Sequence, residues 1–435
     1  MEDHNQNVLK AGSGYLDNVL LVLIFLAPSL SKSIIVPGIA FSDIFLLVAV
    51  LLCLTRIPLR DFSVVPKWFL YGLLTYSWII LGGFFASTYS QFFSLDEFLK
   101  SFMKYNLYFF SAFIIFVYLR RFHSAFIYEI LFKIVLFHCF LGFYIWFAQT
   151  IKTYSGVQIP YDFFWLGQGG PLIIGPDLNR WSIGAFELIK FRGIFGEPSL
   201  YSGFQVLSLT LIFFKAKDVF LKHISYVFLV ILSLLLTSSL TSIALLLVLF
   251  FSIMFKEKKL KFGFLNSRII SVGLAIVLSA SLFSPVSPVD IFQRFIVQRT
   301  AEVVSGEDRS SVMRIYGSFD TAKYIVDRSP LYGSSIGNID TFFTKSGGQL
   351  TYFTGINESI KVSTTVHNIP LYFLGSLGYV GFVIYLFSLI FVVRGTGFLG
   401  SLPYFFSLAS TGSVLEVPYW IYYLLFCRRQ EVNET

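Results

Sequence analysis

Apolar residues along this chain gather into long blocks instead of recurring at helix or strand spacing around one core. Twelve blocks run at approximately 18–36, 39–54, 66–86, 101–119, 125–149, 199–214, 222–237, 240–255, 268–284, 367–393, 398–410 and 413–426. A helix crosses the hydrocarbon core in about 20 residues, which most of these blocks approach. The last two are short, which fits tilted or re-entrant ends. Blocks 222–237 and 240–255 together exceed one crossing, and the polar break Thr237-Ser238-Ser239 predicts a tight hairpin between two helices. The pattern predicts an all-α polytopic membrane protein with twelve spans.

Composition agrees. Of 435 residues, 55% are hydrophobic, 19% aromatic and only 13% charged, against about 25% charged in soluble domains. A water-soluble fold is excluded. The net charge of +8 does not point to nucleic acid, because it sits in short connections between apolar blocks. With a cytoplasmic N-terminus, the inner loops carry Arg56, Arg60 and Lys67, then Arg120 and Arg121, then Lys215, Lys217 and Lys222. Lys256, Lys258, Lys259, Lys261 and Arg268 follow, then Arg394, then Arg428 and Arg429. Short outer connections carry almost none, Lys32 excepted, as the positive-inside rule requires. Cys53, Cys139 and Cys427 lie inside apolar blocks, so neither a disulfide framework nor a metal site is indicated. The polar start of the chain gives no secretory signal peptide. The 52 phenylalanines read as lipid-facing bulk and carry no chemistry of their own.

This register divides the chain into helices 1–5 (1–149), a first outer loop (150–198), helices 6–9 (199–284), a large outer loop (285–366), and helices 10–12 with a cytoplasmic tail (367–435). Loops this long without an obvious fold of their own are usually functional. The larger one is expected to hold an amphipathic helix from Arg309 to Asp327, ending at Ser329-Pro330.

Candidate chemistry concentrates on the outer face. Arg192-Gly193-Ile194-Phe195-Gly196-Glu197-Pro198-Ser199 leads into the sixth span. Pro198 and Glu197 suit a helix start, where a missing N–H costs nothing and the dipole favours negative charge. Capping explains them but leaves Arg192 unexplained. The alternative is that Arg192 and Glu197 face a shared polar cavity, since ionisable residues at a membrane edge are functional candidates. Of five histidines, His367 alone falls on the outer face, opening the tenth span beside Asn368. It serves either as a helix cap or as a base or phosphate partner. His138, within the fifth span, reads as a packed or interhelical hydrogen-bonding residue.

The large loop carries Arg294, Arg299, Arg309, Arg314, Lys323 and Arg328 among Glu302, Glu307, Asp308, Asp320 and Asp327. Surface ion pairs account for some; one or two arginines are expected to hold an anion through the planar guanidinium fork. Glu129 and Lys133 read as an i, i+4 ion pair. Asp96, Lys100 and Lys104 share a helix face, pairing internally or helping to hold phosphate. Gly333-Ser334-Ser335-Ile336-Gly337 fits a G-x-S-x-G string, but without the strand that a nucleophile elbow needs before it. It reads as a glycine-rich turn.

Taken together, the twelve spans, the large outer loop before the tenth, Arg192–Ser199 and His367-Asn368 resemble the bacterial O-antigen polymerase and ligase superfamily. Ser310-Ser311-Val312-Met313-Arg314, Pro330-Leu331-Tyr332-Gly333 and Gly337-Asn338 are similar to that family's loop and glycine turn. Glu197-Pro198-Ser199 resembles the Wzy-type polymerase branch. Tyr316 stands where a tryptophan or other aromatic often follows the loop arginine.

The resemblance implies a GT-C-like, metal-independent glycosyltransferase of the inner membrane, with no cofactor and a periplasmic active site. It would polymerise undecaprenyl-pyrophosphate-linked oligosaccharide repeats into O-antigen or a related surface polysaccharide. Donor and acceptor are both lipid-linked, membrane lipid surrounds the enzyme, and a chain-length regulator protein is an expected partner. His367 and Glu197 are the implied catalytic residues; Arg192, Arg314 and Arg309 would hold pyrophosphate. The alternatives are an O-antigen ligase, which transfers polymer to lipid A-core, and a lipid-linked oligosaccharide flippase. A transporter would concentrate charge at the midplane of its spans, whereas these spans hold few charges.

Overall fold

A computed structural model describes residues 14–30, 34–36, 39–157, 159, 180–183, 186–189, 191–192, 194–195, 198–237, 239–256, 301, 316–348, 351–353, 359–361, 366, 368–410 and 415–428. Helices dominate and follow the apolar blocks. They are α1 (Tyr15–Leu26), α2 (Phe41–Leu54), α3 (Lys67–Tyr89), α4 (Leu95–Leu119), α5 (Ser124–Ser155), α6 (Pro198–Lys215), α7 (Lys217–Lys222), α8 (Ile224–Leu236) and α9 (Leu240–Lys256). After them come α10 (Ser318–Arg328), α11 (Ile339–Lys345), α12 (Ile369–Ser410) and α13 (Val417–Cys427). Four of these, within α3, α4, α5 and α12, are long and apolar enough to cross a membrane, and shorter apolar helices accompany them. The chain is an all-α polytopic membrane protein. The expected ninth span, 268–284, lies outside the described residues.

The chain forms two compact units, 1–49 with 122–300 and 50–121 with 301–435. In the first, α6 is the central helix. From Tyr201 to Lys215 every residue is buried, the pattern of a helix enclosed on all sides. Ser199, Ser202, Gln205 and Ser208 recur every third residue along it, and such small or polar residues let neighbouring helices approach closely and bond across. Ser202 bonds Ser242 on α9, Tyr201 bonds Ser233 on α8 at 2.6 Å, and Gln205 Nε2 donates to Val135 O on α5 at 3.3 Å. The expected hairpin at Thr237-Ser238-Ser239 is present: α8 ends at Leu236 and α9 begins at Leu240. Helix α5 outlasts its expected end at 149 and stops at Gly156, in the left-handed region (φ +70).

In the second unit α13 is the buried helix, enclosed from Tyr419 to Cys427. Trp420 meets Tyr105 and Phe109 edge-on at 5.1 and 5.8 Å, and Phe69 stacks on Phe109 and Phe113 at 4.7 and 4.2 Å. Many aromatics therefore pack this interior as well as facing lipid. Helix α12 is not one rod. Gly378 (φ 66, ψ −169) and Gly397 (φ 76, ψ 166) break it. The second break matches the expected gap between the tenth and eleventh spans; the first falls inside the expected tenth span and was not anticipated.

Both long loops carry small structure that their composition did not reveal. β3 (Arg180–Ile183) pairs antiparallel with β4 (Phe186–Ile189), and β5 (Thr351–Phe353) with β6 (Ser359–Lys361). A further hairpin joins β1 (Ile34–Val36) to β2 (Ile39–Ala40). The amphipathic helix of the large loop is α10, beginning at Ser318; 309–315 lie outside the described residues. Its buried Ser318, Thr321, Ala322, Ile325 and Val326 follow helical spacing, and Lys323, Asp327 and Arg328 stay exposed.

Candidate functional site

In the first unit the site begins with the turn that enters α6. Phe191 donates its backbone N–H to Leu236 O at 3.1 Å, tying the turn to the end of α8. The Phe191 ring lies 5.1 Å from Phe143 and 5.2 Å from Tyr201. Phe195 donates its N–H to Arg192 O at 3.2 Å, closing the turn. Between these two phenylalanines Arg192 is only 7% exposed. A guanidinium cannot be deprotonated at any ordinary pH, so so deep a burial demands acceptors around it. Glu197, the second candidate of this motif, lies outside the described residues.

Beneath the turn sits His138, 1% exposed. Its ring meets Phe195 and Phe204 edge-on at 5.4 and 5.0 Å. Neither ring nitrogen has a hydrogen-bond partner among the described residues. Of the two expected alternatives the packed one is observed: aromatic rings surround it, and no acceptor reaches it among the described residues. The expected Glu129–Lys133 pair is replaced. Glu129 meets His223 at 3.0 Å and Lys222 at 3.3 Å, because both follow one another where α7 passes into α8.

In the second unit the described structure nearest the candidate residues is the head of α12. His367, Arg309 and Arg314 lie outside the described residues, but both neighbours of His367 are fixed. Val366 is 7% exposed and belongs to a small core with Ile325, Ile339 and Phe342. Asn368 Oδ1 accepts the Leu371 N–H at 3.1 Å, and its Nδ2 donates to Ala409 O at 2.9 Å. Capping of α12 is thus the work of Asn368.

Of the loop cations that are described, Arg328 is engaged locally. Its guanidinium carbon lies 3.5 Å from the Tyr324 ring centroid, and Nη1 donates to Tyr324 O at 3.2 Å. Lys100 pairs internally with Asp96 at 2.5 Å and Glu97 at 3.3 Å.

The glycine turn is more than a turn. Pro330 O accepts the N–H of Tyr379 at 2.8 Å, and Ser334 donates its N–H to Gly375 O at 2.9 Å. Loop and helix thereby exchange backbone bonds at the Gly378 break. Asn338 holds the other end of the turn: Oδ1 accepts the Ser94 N–H at 2.8 Å, and Nδ2 donates to Ser94 O at 3.1 Å and Ser335 Oγ at 3.0 Å. Ser335 has a positive φ of 70, but its side chain is fully buried and its hydroxyl already accepts from Asn338. It is a turn residue held in place, consistent with setting the hydrolase string aside. The signal that could have marked Gly378 was available: a glycine within an apolar helical run that also faces a glycine-rich loop.

Residues 225–386 match the family model described as O-antigen ligase. Over that stretch the chain is similar to the O-antigen polymerase and ligase superfamily. The match spans α8 through the first break of α12, and so takes in Arg309, Arg314, the 330–338 turn and His367. Arg192 and Glu197 precede it. No curated protein matches the chain. That superfamily covers polymerases and ligases alike, enzymes that act on lipid-linked polysaccharide in a membrane.

Proposed function

We propose that this protein is the polymerase: a GT-C-like glycosyltransferase that joins undecaprenyl-pyrophosphate-linked repeats at the periplasmic face of the inner membrane. The observation that carries this reading is Arg192, a buried guanidinium in a turn bonded to α8, at the head of an enclosed helix and inside the Arg192–Ser199 motif. In the reaction, an acceptor sugar hydroxyl attacks the anomeric carbon of the donor chain. The bond from that carbon to the pyrophosphate oxygen breaks, and lipid pyrophosphate leaves with the electron pair. The hydroxyl proton passes to a base, Glu197 or His367.

Arg192, Arg314 and Arg309 would hold the leaving pyrophosphate. Their forked donors match phosphate oxygens in pairs and favour the charge that develops on the leaving group. The reading assigns that charge to guanidinium groups without a metal ion. Rigid flanks support a role for His367, since a base must come within about 3 Å of the proton it takes. Both termini are assigned to the cytoplasm on the loop charges, and a chain-length regulator is the proposed protein partner.

A second reading, ligase, is favoured by the description of the matching family itself. The lipopolysaccharide of a deletion strain separates the two. Loss of a polymerase leaves core capped with a single repeat, whereas loss of a ligase leaves bare core.

A further inference from the structure

We propose that Pro330–Ser334 is a latch that sets the position of the helix segment leading from His367, which makes Gly333, Ser334 and Gly378 positioning residues for glycosyl transfer. This rests on the reading of His367 as a site residue. In an unbroken α-helix the N–H of Tyr379 would donate to Gly375 O, four residues back. Here each of those groups is taken by the loop instead, Tyr379 N–H by Pro330 O and Gly375 O by Ser334 N–H. The loop supplies a donor and an acceptor four residues apart, so it fills the gap that it holds open. Buried backbone groups left unpaired would be costly, and docking of the loop and breaking of the helix are therefore one event.

Both partners need glycine. Gly378 (φ 66, ψ −169) occupies a region that is essentially closed to other residues. A Cβ there would lie 2.6 Å from Pro330 O and 2.5 Å from Leu331 C. At Gly333 (φ +65) a Cβ would lie 2.6 Å from Ser376 C and 2.7 Å from Gly378 N. The freed end of the helix has a further partner, because Trp78 Nε1 donates to Leu377 O at 3.0 Å.

The segment between the break and Asn368 is a short rod. Its lower end is fixed by the latch and its head by the Asn368 cap and the buried Val366. Closing α12 through position 378 would redirect that rod and displace Asn368, the residue that follows His367 in sequence. Misplacement by about 1 Å can cost a reacting group roughly a hundredfold in rate.

The test uses purified full-length protein in lipid nanodiscs, turning over a lipid-linked repeat, with hydrogen exchange read at single amides. In Gly378→Ala and Gly333→Ala the Ser334 amide is expected to lose protection, while Tyr379 keeps it by rejoining the helix. The kcat should fall roughly tenfold to a hundredfold, with KM for the donor nearly unchanged, as for a group that acts in the transition state. Gly347→Ala controls for backbone strain, since its φ is +79 but a Cβ there meets nothing within 4 Å; its kcat should stay at the wild-type value. Trp78→Phe removes the Leu377 bond without touching a glycine, and should lower kcat in the same direction by a smaller factor. Wild-type kcat in Gly378→Ala beside an inactive His367→Ala would overturn the latch alone. Wild-type turnover in His367→Ala would overturn the site reading and the latch with it.

Discussion

Asn338 pairs with Ser94 as one backbone pairs with another, its side-chain amide accepting the Ser94 N–H at 2.8 Å and donating to the Ser94 carbonyl at 3.1 Å. The pairing fastens the glycine turn of the large loop to the start of α4. Asn338→Ala leaves two backbone groups and the Ser335 hydroxyl without this partner. The Ser335 hydroxyl is buried, and a buried group so orphaned costs about 1–3 kcal/mol; the part-buried Ser94 groups add less. The melting temperature in detergent should fall clearly, and Ser94→Ala, which keeps the backbone, should melt near wild type. Equal melting of Asn338→Ala and wild type would refute the pairing.

Arg192 and Arg314 are predicted to act through their forked donors and not through charge alone. Arg192→Lys and Arg314→Lys should therefore lose most polymer formation at normal protein levels, approaching the alanine variants, because lysine keeps the charge but not the bidentate geometry. Full-length polymer from both Arg192→Ala and Arg314→Ala would remove the anion site from the account.

His138 gives the opposite expectation. Its ring packs among phenylalanines with no bond to either nitrogen among the described residues, and exchanging an unbonded buried polar group for an apolar one of similar shape is neutral or stabilising. His138→Phe should melt at or above the wild-type temperature and polymerise normally. His138→Ala, which empties the cage, should lose about 2 kcal/mol or more. A stable but inactive His138→Phe would show that the imidazole does chemistry.

Orientation follows from the loop charges. Reporter fusions at Gly170 and Gly348 are predicted to read periplasmic, and one at Lys258 cytoplasmic. A cytoplasmic signal at Gly348 would invert the proposed topology.

The helices were legible because burial in lipid demands apolar runs, and such runs need no knowledge of tertiary contacts. The Thr237–Ser239 hairpin and the gap near Gly397 were legible for the same reason: polar or glycine residues interrupt the run. The Gly378 break was not, because a glycine inside an apolar helix is ordinary until the loop that faces it is known. Nor was the true partner of Glu129, since Lys133 is near in sequence while His223 is brought close only by folding. Arg192 stood out because capping explained every polar neighbour except it. The cage around His138 depends on Phe195 and Phe204, which reach it only when α5 and α6 pack.

The most direct measurement is the lipopolysaccharide ladder of a deletion strain complemented with His367→Ala, with membrane insertion checked by immunoblot. The polymerase account predicts core bearing a single repeat and no longer chains, against a full ladder from the wild-type gene. Bare core without any repeat would make the protein a ligase, and a full ladder from the variant would take His367 out of the mechanism.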